Sequence, residues 1–420
     1  MANVPRRSNP SAGCAGLIVV LGALLACMPR GIAADAGPVT NVRVTEWSKT
    51  AAILTFDVGW KNSWRHEGNH DALWVFFKYR PEGSDEWRHL RLAADKTVNP
   101  TGYGQAGGSR VDLIVPDGDD GFLGMLVRRA DYGLGPIAAT GVTARWDLAA
   151  APGISPDQKI SFLAVGIEMA YVPEGAFVLG GGSEPLHFYE YTDGSQHQKP
   201  YRVAAAGPIP TGRQQGRLWA RRGNEPEDGG ETPAGYPTGF GSFYAMKYHA
   251  MFYFPRFVES LPPDEVEALG AAAEKMNKHG GMSWADGAAF AAWAAIRPLT
   301  ELEYEKLTRG PIEPGWDTGD TLNHPSFWGV ESINGWRSPR EQTVTVANSA
   351  GRRFRGTHGR GTPALPADWP QGDAAGSGIR GGHGRAGNPS YRLDAADGSA
   401  TRAPGVGWRG ARTAPRGVGL

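Results

Sequence analysis

Sulfur chemistry has almost no material in this 420-residue chain: its two cysteines, Cys14 and Cys27, both stand near the start. Beyond them the chain can form no disulfide, no zinc–thiolate site and no cysteine nucleophile. Charge of one sign is also missing. Lys+Arg number 43 and Asp+Glu 43, which removes a bulk electrostatic case for nucleic acid or an anionic membrane. The longest apolar run, residues 17–26, is too short to cross about 30 Å of hydrocarbon as a helix. No G-x-S-x-G, phosphate-binding P-loop or H-E-x-x-H motif occurs, so hydrolase-elbow, nucleotide and zincin readings lack support.

What is present is glycine and aromatic residues. Gly 60 and Pro 32 make up about a fifth of the chain, short of the roughly 25–30% that marks low-complexity disorder. Fourteen Trp supply material for cores. The composition predicts a folded protein rich in turns and irregular loops.

Residues 1–36 read as an export signal. Arg6 and Arg7 form the positive segment and residues 17–26 the apolar one. Two processing sites compete. Ala34-Asp35-Ala36 would release a soluble chain near Gly37, while Leu24-Leu25-Ala26-Cys27 resembles a lipobox that would leave a lipid anchor on Cys27. The expected location is exported: periplasmic, secreted or cell-surface.

From 38 to 160 short β-branched and aromatic runs at 39–44, 51–60, 72–80, 87–92, 110–115 and 122–129 alternate with turn signals. This spacing predicts a β-sandwich-like domain. A small-residue linker follows near 149–156, and 159–169 is a strand belonging to either side. Residues 166–420 show helix starts at Ser283-Trp284-Ala285-Asp286 and Thr300-Glu301-Leu302-Glu303, each a capping box. A weaker helix is expected over 264–276. The last 70 residues carry eleven Arg and no Lys, but Phe354, Trp369, Tyr391 and Trp408 argue against a disordered basic arm.

Five motifs follow one another in the second region. They are Tyr171-Val172-Pro173-Glu174-Gly175-Ala176-Phe177; Phe243-Tyr244-Ala245-Met246-Lys247-Tyr248; Arg297-Pro298-Leu299-Thr300-Glu301-Leu302-Glu303-Tyr304-Glu305-Lys306; Ile379-Arg380-Gly381-Gly382; and Gly407-Trp408-Arg409-Gly410-Ala411-Arg412. Their order and sequence resemble the sulfatase-modifying-factor superfamily, the formylglycine-generating-enzyme fold. Trp60-Lys61-Asn62-Ser63-Trp64-Arg65 with Asp71-Ala72-Leu73-Trp74-Val75-Phe76 resembles a β module that precedes this fold in some secreted bacterial proteins. The resemblance implies an α+β class: a β-sandwich-like domain followed by a C-type-lectin-like scaffold. Each motif also has its own physical sense. Thr300 caps a helix that Glu303 answers, the glycine pair permits φ > 0, and Arg409 and Arg412 are planar forks for carboxylates or carbonyls.

The family's copper-dependent thiol oxidation needs two cysteines after the glycine turn. The matching positions here are Ala386 and Tyr391, so copper is not expected. Its calcium segment corresponds to residues 328–338, and Trp336 and, one residue beyond the segment, Pro339 stand where the family has oxygen donors; calcium stays open as a cofactor. An iron branch of the superfamily uses H-x3-H, and His66, His70 and Asp71 are the metal candidates, with a polar loop as the plainer reading. Asp117-Gly118-Asp119-Asp120-Gly121 reads as an acidic hairpin turn and His358 as a loop or packed histidine. His383, Arg385, Asn388, Tyr391 and Arg392 follow the glycine turn. Polar, aromatic and cationic, they suit a carboxylate, sulfate, glycan or peptide ligand.

The function expected from this is a non-catalytic exported binding or structural protein. Its partners would be a peptide, a glycan or an envelope protein, with no nucleic acid and no transmembrane helix. The alternatives are an iron-dependent enzyme of the same superfamily and a self-assembling envelope component that forms a homo-oligomer.

Overall fold

Two long antiparallel sheets organise the first half of the molecule. The computed structural model describes residues 39–418 apart from 117–121, 181–187, 194–198, 221–229, 268–280, 312–324, 334–339, 348, 382–391 and 395–398. One sheet runs Val39–Trp47, Ala51–Arg65, Gly133–Asp147 and the short Gly107–Gly108. The second places Asp71–Pro81 between Met125–Arg129 and Ile160–Val172. Alternation decides which faces meet. Leu54, Phe56, Val58 and Trp60 point inward from the first sheet, and Leu73, Val75, Phe77 and Tyr79 answer from the second. Trp146 closes the end of this core, edge-on to Trp47 and Phe162.

Ile160–Val172 ties the two halves together. It pairs with Asp71–Pro81 from Pro81↔Ile160 to Asp71↔Ala170, and its far end pairs with Phe243–Met246. The same sheet continues through Gly410–Thr413 to Arg297–Pro298. The stretch read as a linker, 149–156, holds no strand, and the strand expected at 159–169 pairs with elements on both sides of it. The opposite face of Asp71–Pro81 is covered as well. Trp74 Nε1 donates to Ala294 O at 2.9 Å, and Phe76 meets Trp293 edge-on at 5.0 Å. A strand covered on both faces reads as a near-continuous apolar run, as 72–77 does.

A smaller sheet carries the later motifs. Arg340–Val344 lies between Ser377–Arg380, antiparallel, and Val406–Trp408, parallel, with Arg392–Asp394 outside. Both capping boxes form. Ser283 and Asp286 cap Trp284–Trp293, and Thr300 and Glu303 cap Glu301–Arg309. Gly287 lets the first of these helices approach Trp408, whose Cδ1 would lie 2.1 Å from an added Cβ.

The α+β class expected from the resemblance is corrected. The structure is 39% strand and 13% helix, with several sheets and only short helices. The helices at 284 and 301 last two or three turns, ending at Ala294 and at Gly310, whereas strands run to 15 residues. Sequence reading also omitted Gly133–Asp147, because its Gly, Ala and Thr content lacks the large β-branched signature. Conversely, the 87–92 run keeps only Arg88–His89 as strand. Among the described residues, no helix is long and apolar enough to cross a membrane.

Candidate functional site

The glycine turn singled out in the sequence begins at a buried ionic cluster. Ser377–Arg380 delivers Arg380 into the core, where it pairs with Glu305 and lies 3.7 Å from Glu301. Glu305 also accepts from Gly180 N at 2.7 Å and pairs with Arg309 at 3.2 Å. Burial would raise the Glu305 carboxyl, but Arg380 and Arg309 outweigh it and hold it below the usual carboxylate range. Gly381 then turns with φ +98, where an added Cβ would stand 3.0 Å from Tyr304 Oη. The glycine is thus required by both backbone conformation and space.

The residues expected beyond that turn are placed unevenly. His383, Arg385, Asn388 and Tyr391 lie outside the described residues, as do Ala386, Trp336, Pro339, Asp117-Gly118-Asp119-Asp120-Gly121 and most of the 264–276 helix. Arg392 begins the short strand Arg392–Asp394.

A second ionic centre sits one strand away. Glu341 Oε1 lies 3.1 Å from His249 Nδ1 and accepts from Arg409 Nε at 3.1 Å. Arg409 also donates to the carbonyls of Met246, Lys247 and Glu331. Burial drives the His249 imidazole down to about 4 despite the Glu341 carboxylate beside it. The histidine is therefore neutral at pH 7.

A third centre joins the two halves of the molecule. Lys247 Nζ donates to Glu168 Oε2 at 3.0 Å and lies 3.6 Å from Asp71 Oδ2. It also faces the Trp64 ring at 4.8 Å. Asp71 accepts from Trp60 Nε1, Ser63 Oγ and Trp64 N at 2.8–3.0 Å.

The three metal candidates do not converge. His70 and Asp71 are consecutive strand residues and point to opposite faces. His70 Nε2 meets Tyr244 Oη at 2.9 Å, and its ring stacks on Tyr171 at 4.6 Å. Burial, aided by Arg128 and Arg65, holds it neutral. His66 Nδ1 instead accepts from Gly68 N at 2.9 Å. Among the described residues, no group of three or more His, Cys, Asp or Glu is arranged to hold a metal ion. His358 is a packed histidine held down to about 3 by burial and the Arg297 charge.

The remaining motif residues serve the frame. Arg297 grips Glu303 with two nitrogens, at 2.7 Å and, through Nη2, at 2.6 Å. Arg412 lies 3.8 Å from the Trp74 ring centre and donates to Ala295 O. Lys306 Nζ donates to the carbonyls of Pro173, Gly239 and Phe240.

Sequence reasoning missed Lys78, His249 and Glu341. For His249 and Glu341 the sequence holds no signal, since their partner Arg409 is far away along the chain. Lys78 had one: it interrupts an apolar strand without an adjacent acid. Comparison of this chain with protein-family models, curated proteins and solved structures finds no match.

Proposed function

We propose that this chain is an exported, non-catalytic binding or structural protein built on a scaffold like that of formylglycine-generating enzymes. One observation carries the reading. In the described parts of the five motifs, the charged side chains of Arg297, Glu301, Glu303, Glu305, Lys306, Arg380, Arg409 and Arg412 are engaged inside the protein. Groups fixed in this way specify a frame and are not free to exchange protons with a substrate. The chain beyond Cys27 also lacks the thiol pair that would hold copper. The residues singled out after Gly381, His383, Arg385, Asn388, Tyr391 and Arg392, are the proposed ligand-binding set, polar, aromatic and cationic on a scaffold whose core stays fixed.

The test pairs chemistry with binding. The processed chain is incubated with copper, oxygen and a cysteine peptide, and the peptide is weighed by mass spectrometry. An unchanged peptide is expected; a peptide aldehyde overturns the non-catalytic reading. Glycan and peptide arrays then compare the same chain with an Arg385→Ala, Tyr391→Ala variant. Loss of a bound class in the variant supports recognition at the turn, and unchanged binding removes the turn from the proposal.

A further inference from the structure

Three buried lysines can be ranked by what surrounds the amine. Lys247 faces two carboxylates and Lys306 donates to three carbonyls. Lys78 has neither arrangement. It is 1% exposed, and among the described residues no carboxylate forms an ion pair with it. Its Nζ approaches Gly361 O, with His89 Nδ1 at 3.4 Å, and the Trp293 ring centre is 5.4 Å away. His89 Nε2 lies against Leu123 O, so that nitrogen carries the imidazole hydrogen and Nδ1 presents a lone pair to the lysine. Two acceptors therefore face the amine. That is the complement of a neutral amine, which has two N–H bonds and one remaining lone pair.

The same side chain lines a cavity of about 490 Å³. Trp87 and Trp293 give its lining two aromatic side chains, and Ser260, Pro262, Glu86 and Glu265 line it as well. We infer that Lys78 is a covalent capture site for an uncharged aromatic aldehyde, seated between Trp87 and Trp293 and joined to Nζ as an imine. The amine lone pair adds to the carbonyl carbon and forms the C–N bond. Nitrogen passes its proton to the former carbonyl oxygen, which leaves as water after a second protonation from nitrogen. The product is C=N, with no change of oxidation state and no co-reactant. An uncharged ring suits the site because an anion would meet Glu86 and Glu265. Burial moves the amine toward the reactive form, down to about 7. The titratable group facing it is His89, itself held neutral by burial and by the nearby Lys78 and Arg412 charges, while Glu86 and Glu265 belong to the cavity lining. This inference concerns a place apart from the Gly381 turn, and neither reading depends on the other.

The experiment treats the folded full chain with benzaldehyde and cyanoborohydride, which fixes any imine as a secondary amine, and maps every lysine by mass spectrometry. At pH 7 Lys78 is expected to label about tenfold or more faster than exposed Lys159, because an ordinary lysine is almost wholly protonated there. Its labelling rate should level off just above pH 7. Unfolding in urea should erase the preference. Ala364→Trp, at an exposed wall position, should slow Lys78 and leave Lys159 unchanged. Labelling of Lys78 no faster than Lys159 in the folded chain overturns the site, and an unaffected rate in Ala364→Trp overturns the cavity as its route. Lys78→Met provides a blank spectrum, but the result does not depend on that variant folding.

Discussion

The helix Glu301–Arg309 and the strand Ala51–Arg65 are both packed into the protein by opposite means. The strand buries Leu54, Phe56, Val58 and Trp60 against another sheet and turns other side chains outward. The helix reads ELEYEKLTR, which on sequence grounds looks like one narrow apolar stripe on a solvated surface element. Yet all nine of its residues are buried, with Glu305 1% and Arg309 3% exposed. The first region is closed by apolar area and the second by ions that neutralise one another. Apolar burial is non-directional and tolerates repacking. A buried ion is costly unless its partner is in place, so the second region accepts few alternative arrangements.

The sharpest way to break this comparison is to remove one ion. Glu305→Ala leaves Arg380 and Arg309 without their main carboxylate and should cost about 3–5 kcal/mol in urea unfolding. Replacing the pair together, Glu305→Leu with Arg380→Met, should recover most of that loss. If the single substitution costs no more than a surface change, the ionic core is not what holds this half. Next, Leu54→Ala should cost about 3 kcal/mol through lost burial and a cavity, with no companion change needed to explain it. A loss that scales with salt concentration would contradict its apolar assignment.

Acid should separate the regions further. His70 and His249 are neutral in the folded state and held below their ordinary value mainly by burial. Below about pH 6.5 the unfolded chain takes up protons that the native chain refuses, so stability is present above that pH and lost as pH falls toward about 4 for His249. Each contributes a slope of about 1.4 kcal/mol per pH unit in that window. His249→Gln should flatten the slope in a pH series of urea midpoints; an unchanged slope would show that His249 is charged when folded. The smallest expected effect is at the turn. Gly381→Ala meets both φ +98 and Tyr304 Oη, and a loss of about 1–2 kcal/mol is expected. A neutral result would mean that the turn can relax, which would weaken the view of a fixed platform.

The first region was legible because period-2 alternation is a local property. Six short runs and their turns gave five strands in nearly the right places, and the sixth shrank to Arg88–His89. Gly133–Asp147 was not legible, since small residues gain their strand conformation from pairing with Ala51–Arg65. The caps at Ser283 and Thr300 were legible for the same local reason as the runs. The candidate site was less so. Gly381 and its preceding Arg380 stood out as a motif, but Glu305 as the partner of Arg380 did not, being 75 residues away. His66, His70 and Asp71 looked adjacent in sequence and are separated by the strand's own geometry.

Sequence alone determined the absence of thiol chemistry after Cys27, the balanced charge, the alternating strands and the capped helices, because each depends on residue identity or near-neighbour spacing. Tertiary structure alone decided which charges went inside. Desolvation and pairing depend on partners brought together from distant strands: Glu305 with Arg380, Glu341 with His249 and Arg409, Lys247 with Asp71 and Glu168, and Lys78 with Gly361 O and His89 but, among the described residues, with no carboxylate in an ion pair.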